Sequence, residues 1–446
     1  MQRHPDIGNW RPGAGRAACL ALAALLCTVP SAEAALDIQI TSGVRDPVPI
    51  AVVPFTPATP ADGGLDVAGV VQHDLEGSGR FRALPRDQMP ALPTRAAEVV
   101  PNLWKGVGSD YVVVGRVSPT GNGADLAVDC ELVNTLTGVR LAAQRFVGSP
   151  SALRNAAHRV SDVIYQKTIG VRGAFATRIA YIAVENTAQG PQYQLIVTDA
   201  DGANQHLILE SRFPLMSPSW SPDGQYLAYV SFETKHSAVY VQTVRTGERR
   251  QVSARIGVNA APEWSPDGQK LALTLGGSGG NPDIYILNLS TQDLQRITDD
   301  PAIDTEPVWA PDGRSIYFTS DRAGSPQIYQ IGVQEGAKPK RITFSGTYNA
   351  RPRISPDGTM LAMVTLDNGA YRIAVQDLAS GTVRVLSRGR LDESPSFAPN
   401  GATLIYSERE GDRGVLAMIS TDGLTGMRLK GTQGEVREPA WGPFAP

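Results

Sequence analysis

The stretch Pro218-Ser-Trp220-Ser-Pro-Asp-Gly224 decides the fold, because it returns. Copies stand at Pro262-Glu-Trp264-Ser-Pro-Asp-Gly268, Pro307-Val-Trp309-Ala-Pro-Asp-Gly313, Pro352-Arg-Ile354-Ser-Pro-Asp-Gly358 and Pro395-Ser-Phe397-Ala-Pro-Asn-Gly401. A sixth is cut short at Pro439-Ala-Trp441-Gly-Pro443. The bulky positions 220, 264, 309, 354, 397 and 441 are 44, 45, 45, 43 and 44 residues apart. A fixed period with strand-like flanks is the mark of a repeat architecture, in which each unit buries its apolar face only against its neighbours.

One unit fixes the kind of repeat. After Trp220 come a turn, the apolar run Tyr226-Leu-Ala-Tyr-Val230, a polar loop and Val239-Tyr-Val-Gln-Thr-Val244. A Thr246-Gly247 turn and Arg250-Gln-Val-Ser253 complete it. Four short strands per unit read as one blade of a β-propeller. Ser-Pro-Asp-Gly suits a type I turn, since Pro pre-sets φ at the second position and Gly fits the fourth. Asn400, in place of Asp, is expected to leave that turn chemistry unchanged.

The ends of the repeat provide a count. Ile179–Ala183, Leu195–Val197 and Leu207–Leu209 offer three strands with no motif before them, whereas Val436–Trp441 offers the motif with nothing after it. Joined, they make one blade and bring the total to six. The prediction is a six-bladed propeller over 171–446, closed by its own C-terminal strand and so free of long open edges.

Residues 35–170 lack the repeat and read as an α/β domain. Leu36-Asp-Ile-Gln-Ile40 alternates like a half-buried strand, and Ile50–Phe55 and Tyr111–Val117 read as buried strands. Leu126–Val133 and Leu141–Val147 suggest a hairpin turned at Thr137-Gly138. Helices are expected from Val67 to Leu75, stopped by Gly77, and from Ser151 as N-cap to Ile169, ended by Gly170.

Ahead of that domain, Arg3, Arg11 and Arg16 precede the apolar run Ala17–Val29, and Ala32-Glu33-Ala34 supplies a small-x-small pattern. Residues 1–34 are therefore expected to be a cleaved signal peptide, which implies export to the periplasm. Cys19 and Cys27 leave with it, so Cys130 stands alone and no intramolecular disulfide is expected. The formal charge of −3 argues against a partner bound by phosphate neutralisation, so no nucleic acid is expected. No later segment is apolar for long enough to span a membrane as a helix.

Candidate chemistry is sparse. Gly276-Gly-Ser278-Gly-Gly280 matches the G-x-S-x-G pattern, but that elbow needs a later His, and all five histidines precede Ser278. Asp199-Ala-Asp201-Gly202 lacks the further acidic ligands of a calcium loop and reads as a hairpin turn. No zinc spacing, phosphate loop or dinucleotide fingerprint appears; no catalytic residue, metal or cofactor is expected. The segments just before each repeat Pro, by contrast, vary from blade to blade at one mouth of the channel, as a docking surface would.

Taken in order, three features resemble the TolB family of the Tol–Pal system: a signal peptide, a small domain opening Leu36-Asp-Ile-Gln-Ile-Thr-Ser-Gly43, and six W-S-P-D-G blades. Further shared strings are Pro49-Ile-Ala-Val-Val-Pro-Phe55, Gly170-Val-Arg-Gly-Ala-Phe-Ala-Thr-Arg-Ile-Ala-Tyr181 and Leu391-Asp-Glu-Ser-Pro395. The resemblance implies a monomeric, non-enzymatic periplasmic scaffold. Such a protein binds the outer-membrane lipoprotein Pal at the propeller mouth and TolA through its N-terminal segment, supporting outer-membrane invagination and integrity during division. Other envelope proteins are further possible partners. The implied Pal contacts are Met216, Asn259, Ala261, Thr305, Glu306, Asn349, Asp392 and Glu393. The implied TolA contacts are Leu36, Asp37, Ile38, Gln39 and Ile40. A His expected just before Asn259 is Val258 here. The alternative reading is an exported hydrolase or a carbohydrate-binding propeller.

Overall fold

A computed structural model describes residues 37–56, 64–121, 124–277, 280–430 and 434–445. The expected signal peptide, Leu36 and Ser278 lie outside the described residues.

The α/β domain is built on a five-stranded sheet. Its strand order is Phe81–Ala83, Val48–Val52, Tyr111–Pro119, Leu126–Asn134 and Arg140–Gly148. The first three strands run parallel and the last two form the expected hairpin. Three α-helices accompany it among the described residues: α1 (Val67–Gly77), α2 (Pro101–Gly106) and α3 (Leu153–Ile169). Helices α1 and α3 cover one face, burying Val71, Leu75, Val160 and Ile164 against Ile50, Val113, Val128 and Leu132. On the other face Trp104 of α2 is fully buried among Ala51, Val99, Val112 and Val114.

Two helix ends differ from expectation. Ser151 does not cap α3, because Pro150 starts a 3-10 turn through Ala152 and the Ser151 hydroxyl pairs with that of Ser149 at 2.9 Å. Helix α1 runs through Gly77, and Gly79, at φ +67°, takes the left-handed position after it.

Residues 178–445 form the six four-stranded blades. Blade 1 joins the two ends of the repeat region: Glu435–Trp441 pairs antiparallel with Arg178–Thr187, followed by Gly190–Asp199 and His206–Ser211. The innermost strands of blades 2 to 6 are Leu215–Trp220, Val258–Trp264, Asp304–Trp309, Asn349–Ile354 and Asp392–Phe397. All five complete Ser-Pro-Asp-Gly-type turns close as predicted, with the Gly N–H donating to the first residue's carbonyl at 2.8–2.9 Å.

The motif's Trp has a separate task. Trp220 Nε1 donates to the Ala440 carbonyl at 3.1 Å, Trp264 Nε1 to Ser219 at 3.2 Å, and Trp309 Nε1 to Glu263 at 3.3 Å. Each buried indole therefore fastens its blade to the inner strand of the one before.

Asp37–Ser42 forms the expected strand, but with a distant partner. It pairs antiparallel with Gly426–Lys430, Ile38 opposite Leu429 and Ile40 opposite Met427, and so becomes the fifth strand of blade 6. Cys130 is buried and free.

Candidate partner-binding site

Up-and-down strand order gives the propeller two unlike faces. The Ser-Pro-Asp-Gly turns and the connections between third and fourth strands emerge on one, here the turn face. The connections from each blade's outer strand to the next inner strand emerge on the other, the loop face.

The α/β domain sits on the turn face. Arg80 pairs with Asp422, Arg154 with Asp201, and Asn400 Nδ2 donates to the Arg172 carbonyl at 2.9 Å. Asn400 therefore does more than replace Asp in its turn, because only an amide carries that donor. Between the domains lies a buried ionisable cluster. His158 Nδ1 is 2.8 Å from Asp74 Oδ2, which also accepts from Ser161 Oγ at 2.6 Å. The imidazole's other nitrogen faces Asp201 and Asp199 of blade 1 at 3.8 and 4.0 Å. Burial opposes the His158 imidazolium, but the carboxylates of Asp74, Asp201 and Asp199 outweigh it and raise its pKa. Asp74, His158 and Asp201 lie close enough to share a metal ion. Arg154 and the charged imidazole already balance these carboxylates, so the cluster reads as an ion-pair network joining the domains.

On the loop face, every inner strand carries the same distortion. Ser217, Ala261, Glu306, Arg351, Ser394 and Glu438, each just before the repeat Pro, have φ between +47° and +56°. The ladder to the second strand slips at each of these positions, making a β-bulge. A non-glycine residue held there costs on the order of 1–3 kcal/mol, so neighbours must enforce it. Three of the bulge N–H groups find acceptors on the preceding blade: Ser217 on the Glu438 carboxylate, Glu306 on Thr274 Oγ1 at 3.2 Å, and Arg351 on Glu306 Oε2 at 2.9 Å. Three of the blades are thus each stitched to the one before by a side chain, a Glu carboxylate twice and a Thr hydroxyl once.

Charge accompanies the bulges. Arg351 Nε lies 3.2 Å from Glu306 Oε1, and its guanidinium also reaches Ser394 Oγ. Burial works against that guanidinium, yet Glu306, Glu438 and Glu393 more than restore its charge. Further along the inner wall, burial lifts the carboxyl of Glu263, opposed by Arg353 and by a 3.1 Å hydrogen bond from Ser219 Oγ.

The residues singled out from sequence divide into two groups. Met216 and Glu393 are exposed, and Ala261, Thr305 and Glu306 half-buried, all at the bulges. Asn259, Asn349 and Asp392 are at the same mouth but fully buried. Asn259 ties its entering loop through Ser253 Oγ (2.7 Å) and both the N–H and carbonyl of Arg255 (2.9 and 2.7 Å). Asn349 Nδ2 donates to Gln327 Oε1 (2.9 Å) and to the Ser345 carbonyl (2.8 Å). Asp392 Oδ2 accepts from Gly389 N–H at 3.0 Å, and burial lifts its pKa to about 6. These three shape the loops rather than line the surface.

Besides Met216 and Val258, sequence reading missed the apolar side chains that the loops display. Phe213, Ile256, Ile303 and Phe344 are all exposed on the loop face, Ile256 at 81% and Phe344 at 74%. Their signal was an apolar residue in the connection from an outer strand to the next inner one, recurring in four consecutive connections. Of the N-terminal segment, Gln39 and Ile40 are exposed, and for Asp37 and Ile38 the backbone pairing is described.

Comparison with known proteins agrees over almost the full length. The family model described as the TolB beta propeller domain matches residues 165–445, and the one described as the TolB amino-terminal domain matches 36–141. The Tol-Pal system protein TolB of Xanthomonas oryzae pv. oryzae is 48% identical over 413 residues, covering 92% of this chain and 93% of that one. That of Xanthomonas euvesicatoria pv. vesicatoria is 47% identical over 433 residues, covering 95% and 97%. The crystal structure of TolB from Acinetobacter baumannii superposes with a TM-score of 0.84 at 40% identity, covering 92% of this chain and all of that one.

Proposed function

The chain belongs to the TolB family of the Tol–Pal system, and on that premise we propose that it is a periplasmic scaffold holding Pal on its loop face and TolA through residues 37–40. TolB is a non-enzymatic envelope protein, so the sites to explain are contact surfaces. One observation carries the reading: the face opposite the docked α/β domain exposes an apolar arc from Phe213 to Phe344 around a charged ring. Apolar anchors rimmed by polar groups are the usual centre of a protein interface. The fit extends to Met216, Ala261, Thr305, Glu306 and Glu393, with Asn259, Asn349 and Asp392 holding the loops behind them. This scaffold serves outer-membrane constriction at division.

The test is calorimetry with soluble Pal. Phe344→Ser together with Ile256→Ser weakens binding about tenfold or more, the loss of one or two anchors. Unchanged affinity would remove the loop face from the interface.

The N-terminal strand suits a second, switchable contact. It is six residues long, lies on the outside of blade 6, and can leave without opening the ring. Released, it is free to add to the sheet edge of TolA. Deleting residues 37–42 is expected to abolish TolA capture and spare Pal binding. If Pal docking biases the strand's release, TolA affinity differs with and without saturating Pal, and equal values would sink that coupling.

A further inference from the structure

Among the described residues, the outer edges of the sheets are at most six residues long or are covered, with one exception. Blades 3, 4 and 5 end in Leu294–Arg296, Lys340–Arg341 and Val383–Val385, and blades 1 and 2 in His206–Ser211 and Arg249–Ser253. Blade 6 is covered by Asp37–Ser42, and one border of the α/β sheet is only Phe81–Ala83. The other border is Arg140–Gly148, nine residues long and paired on one side only, with Leu126–Asn134. A long open edge is a template for another strand, and proteins usually shorten or cover it.

Charge says what kind of strand would fit. Arg116, Asp129 and Arg145 stand opposite one another on the last three strands. Asp129 accepts from Arg116 Nε at 3.2 Å and from Arg145 Nη1 at 3.0 and 3.1 Å. Sign alternates from strand to strand and ends in a cation at the open edge, where the Arg145 side chain is 52% exposed. Arg95 lines the same groove as Arg116, Asp129, Glu131 and Arg145. Glu131 is itself taken up by Arg140 at 2.6 Å and by the Ala96 N–H at 2.7 Å. Edge strand 140–148 contains two Arg and no acid.

We propose that this edge receives an extended acidic segment of a partner protein by strand addition, an Asp or Glu opposite Arg145 continuing the ladder. A second copy of the chain is disfavoured as occupant, because its own edge carries two Arg and no acid and so offers no opposite charge to Arg145.

The full chain is titrated at low salt with an acetylated nine-residue peptide alternating threonine and glutamate, and with its lysine counterpart. The glutamate peptide binds at least about tenfold tighter, and binding weakens with salt. It slows amide exchange in residues 140–148. Arg145→Glu reverses the preference toward the lysine peptide and leaves Pal binding unchanged. Should that variant unfold, Arg145→Gln carries the test with a loss of about threefold or more at unchanged circular dichroism. Equal affinity for the two peptides overturns the proposal. So does protection confined to other residues, or a concentration-dependent dimer that protects 140–148 without peptide.

Discussion

The two faces of the propeller come from one repeat, yet they follow opposite rules. On the turn face five turns are nearly interchangeable, each closed by the same Gly-to-carbonyl hydrogen bond. The α/β domain docks there through single substitutions and outlying charges, such as Asn400 and Asp422. On the loop face the connections differ in length and content, from 212–214 to 342–348, and hold exposed apolar side chains. Regularity supplies the platform, and the recognition proposed above falls at the positions where regularity is relaxed. Even the bulge ring, which is regular in backbone, has its N–H groups tied to the preceding blade at three of its six positions among the described residues, by Glu438, Thr274 and Glu306.

The sharpest way to break this contrast is to damage one element on each side. Trp264→Ala removes a buried indole packed with Leu271 and Leu273 and deletes its bond to Ser219. It is expected to cost about 3–5 kcal/mol of stability, seen as a lower urea midpoint. Phe344→Ala on the loop face is expected to stay within about 0.5 kcal/mol of the parent in the same experiment. A comparable loss at Phe344 would mean that the loop residue is part of the structure and not reserved for contact.

How much of this was legible in sequence follows the same divide. The six blades and the clasp of Trp441 opposite Ile179 were readable, because turn chemistry is local and recurs at one period. The bulges were not. Ser217, Ala261, Glu306, Arg351, Ser394 and Glu438 share no chemistry, and none is the glycine that a positive φ normally announces. Asn259, Asn349 and Asp392 read as rim contacts because they are polar and lie at the mouth, but the entering loops fold over them. The strand at Asp37 was visible as a strand, while its partner lies nearly 400 residues away, beyond any local pattern.

A medium-sized effect tests the docked domain. Asp74 of α1, itself held by Ser161, meets one nitrogen of His158, and Asp199 and Asp201 of blade 1, both paired with Arg154 of the same helix as His158, face the other. With its folded pKa raised, His158 contributes stability that is full below about pH 6.5, its ordinary value, and is lost as pH rises through the folded value. Asp162, lifted by burial to about 6, behaves in the same sense at lower pH: its contribution is full below the ordinary carboxylate range and gone above about 6. Above about pH 6.5, where Asp162 is spent, the fall that remains is the one expected of His158. The parent's thermal midpoint drops as pH rises from about 6.5 through the raised value, and that drop is absent from His158→Gln. At pH 6 the variant is less stable by about 1–3 kcal/mol, the cost of leaving Asp74 without its charged partner. A parallel fall in both proteins would place the titration elsewhere.

The smallest effect has the opposite sign and lies under the loop face. Asp304 and Asp392 hold equivalent inner-strand positions, both fully buried. Arg322 meets Asp304 with two bonds of 2.9 and 2.7 Å, whereas no ion pair holds Asp392 among the described residues. Burial accordingly lifts Asp392 to about 6, so its charge is a burden at neutral pH. Asn already fills this place in two other blades, as Asn259 and Asn349, and its carbonyl can still accept from Gly389. Asp392→Asn is expected to stabilise the protein by about 1 kcal/mol at pH 8 and by about half that at pH 5, which lies between the ordinary carboxylate value of about 3.9 and the raised one. Asp304→Asn, by contrast, leaves the half-buried Arg322 guanidinium without its closest counter-charge and destabilises at both pH values. If the two substitutions acted alike, burial alone would govern these positions, and the blade-specific partners would have no part in shaping the loops.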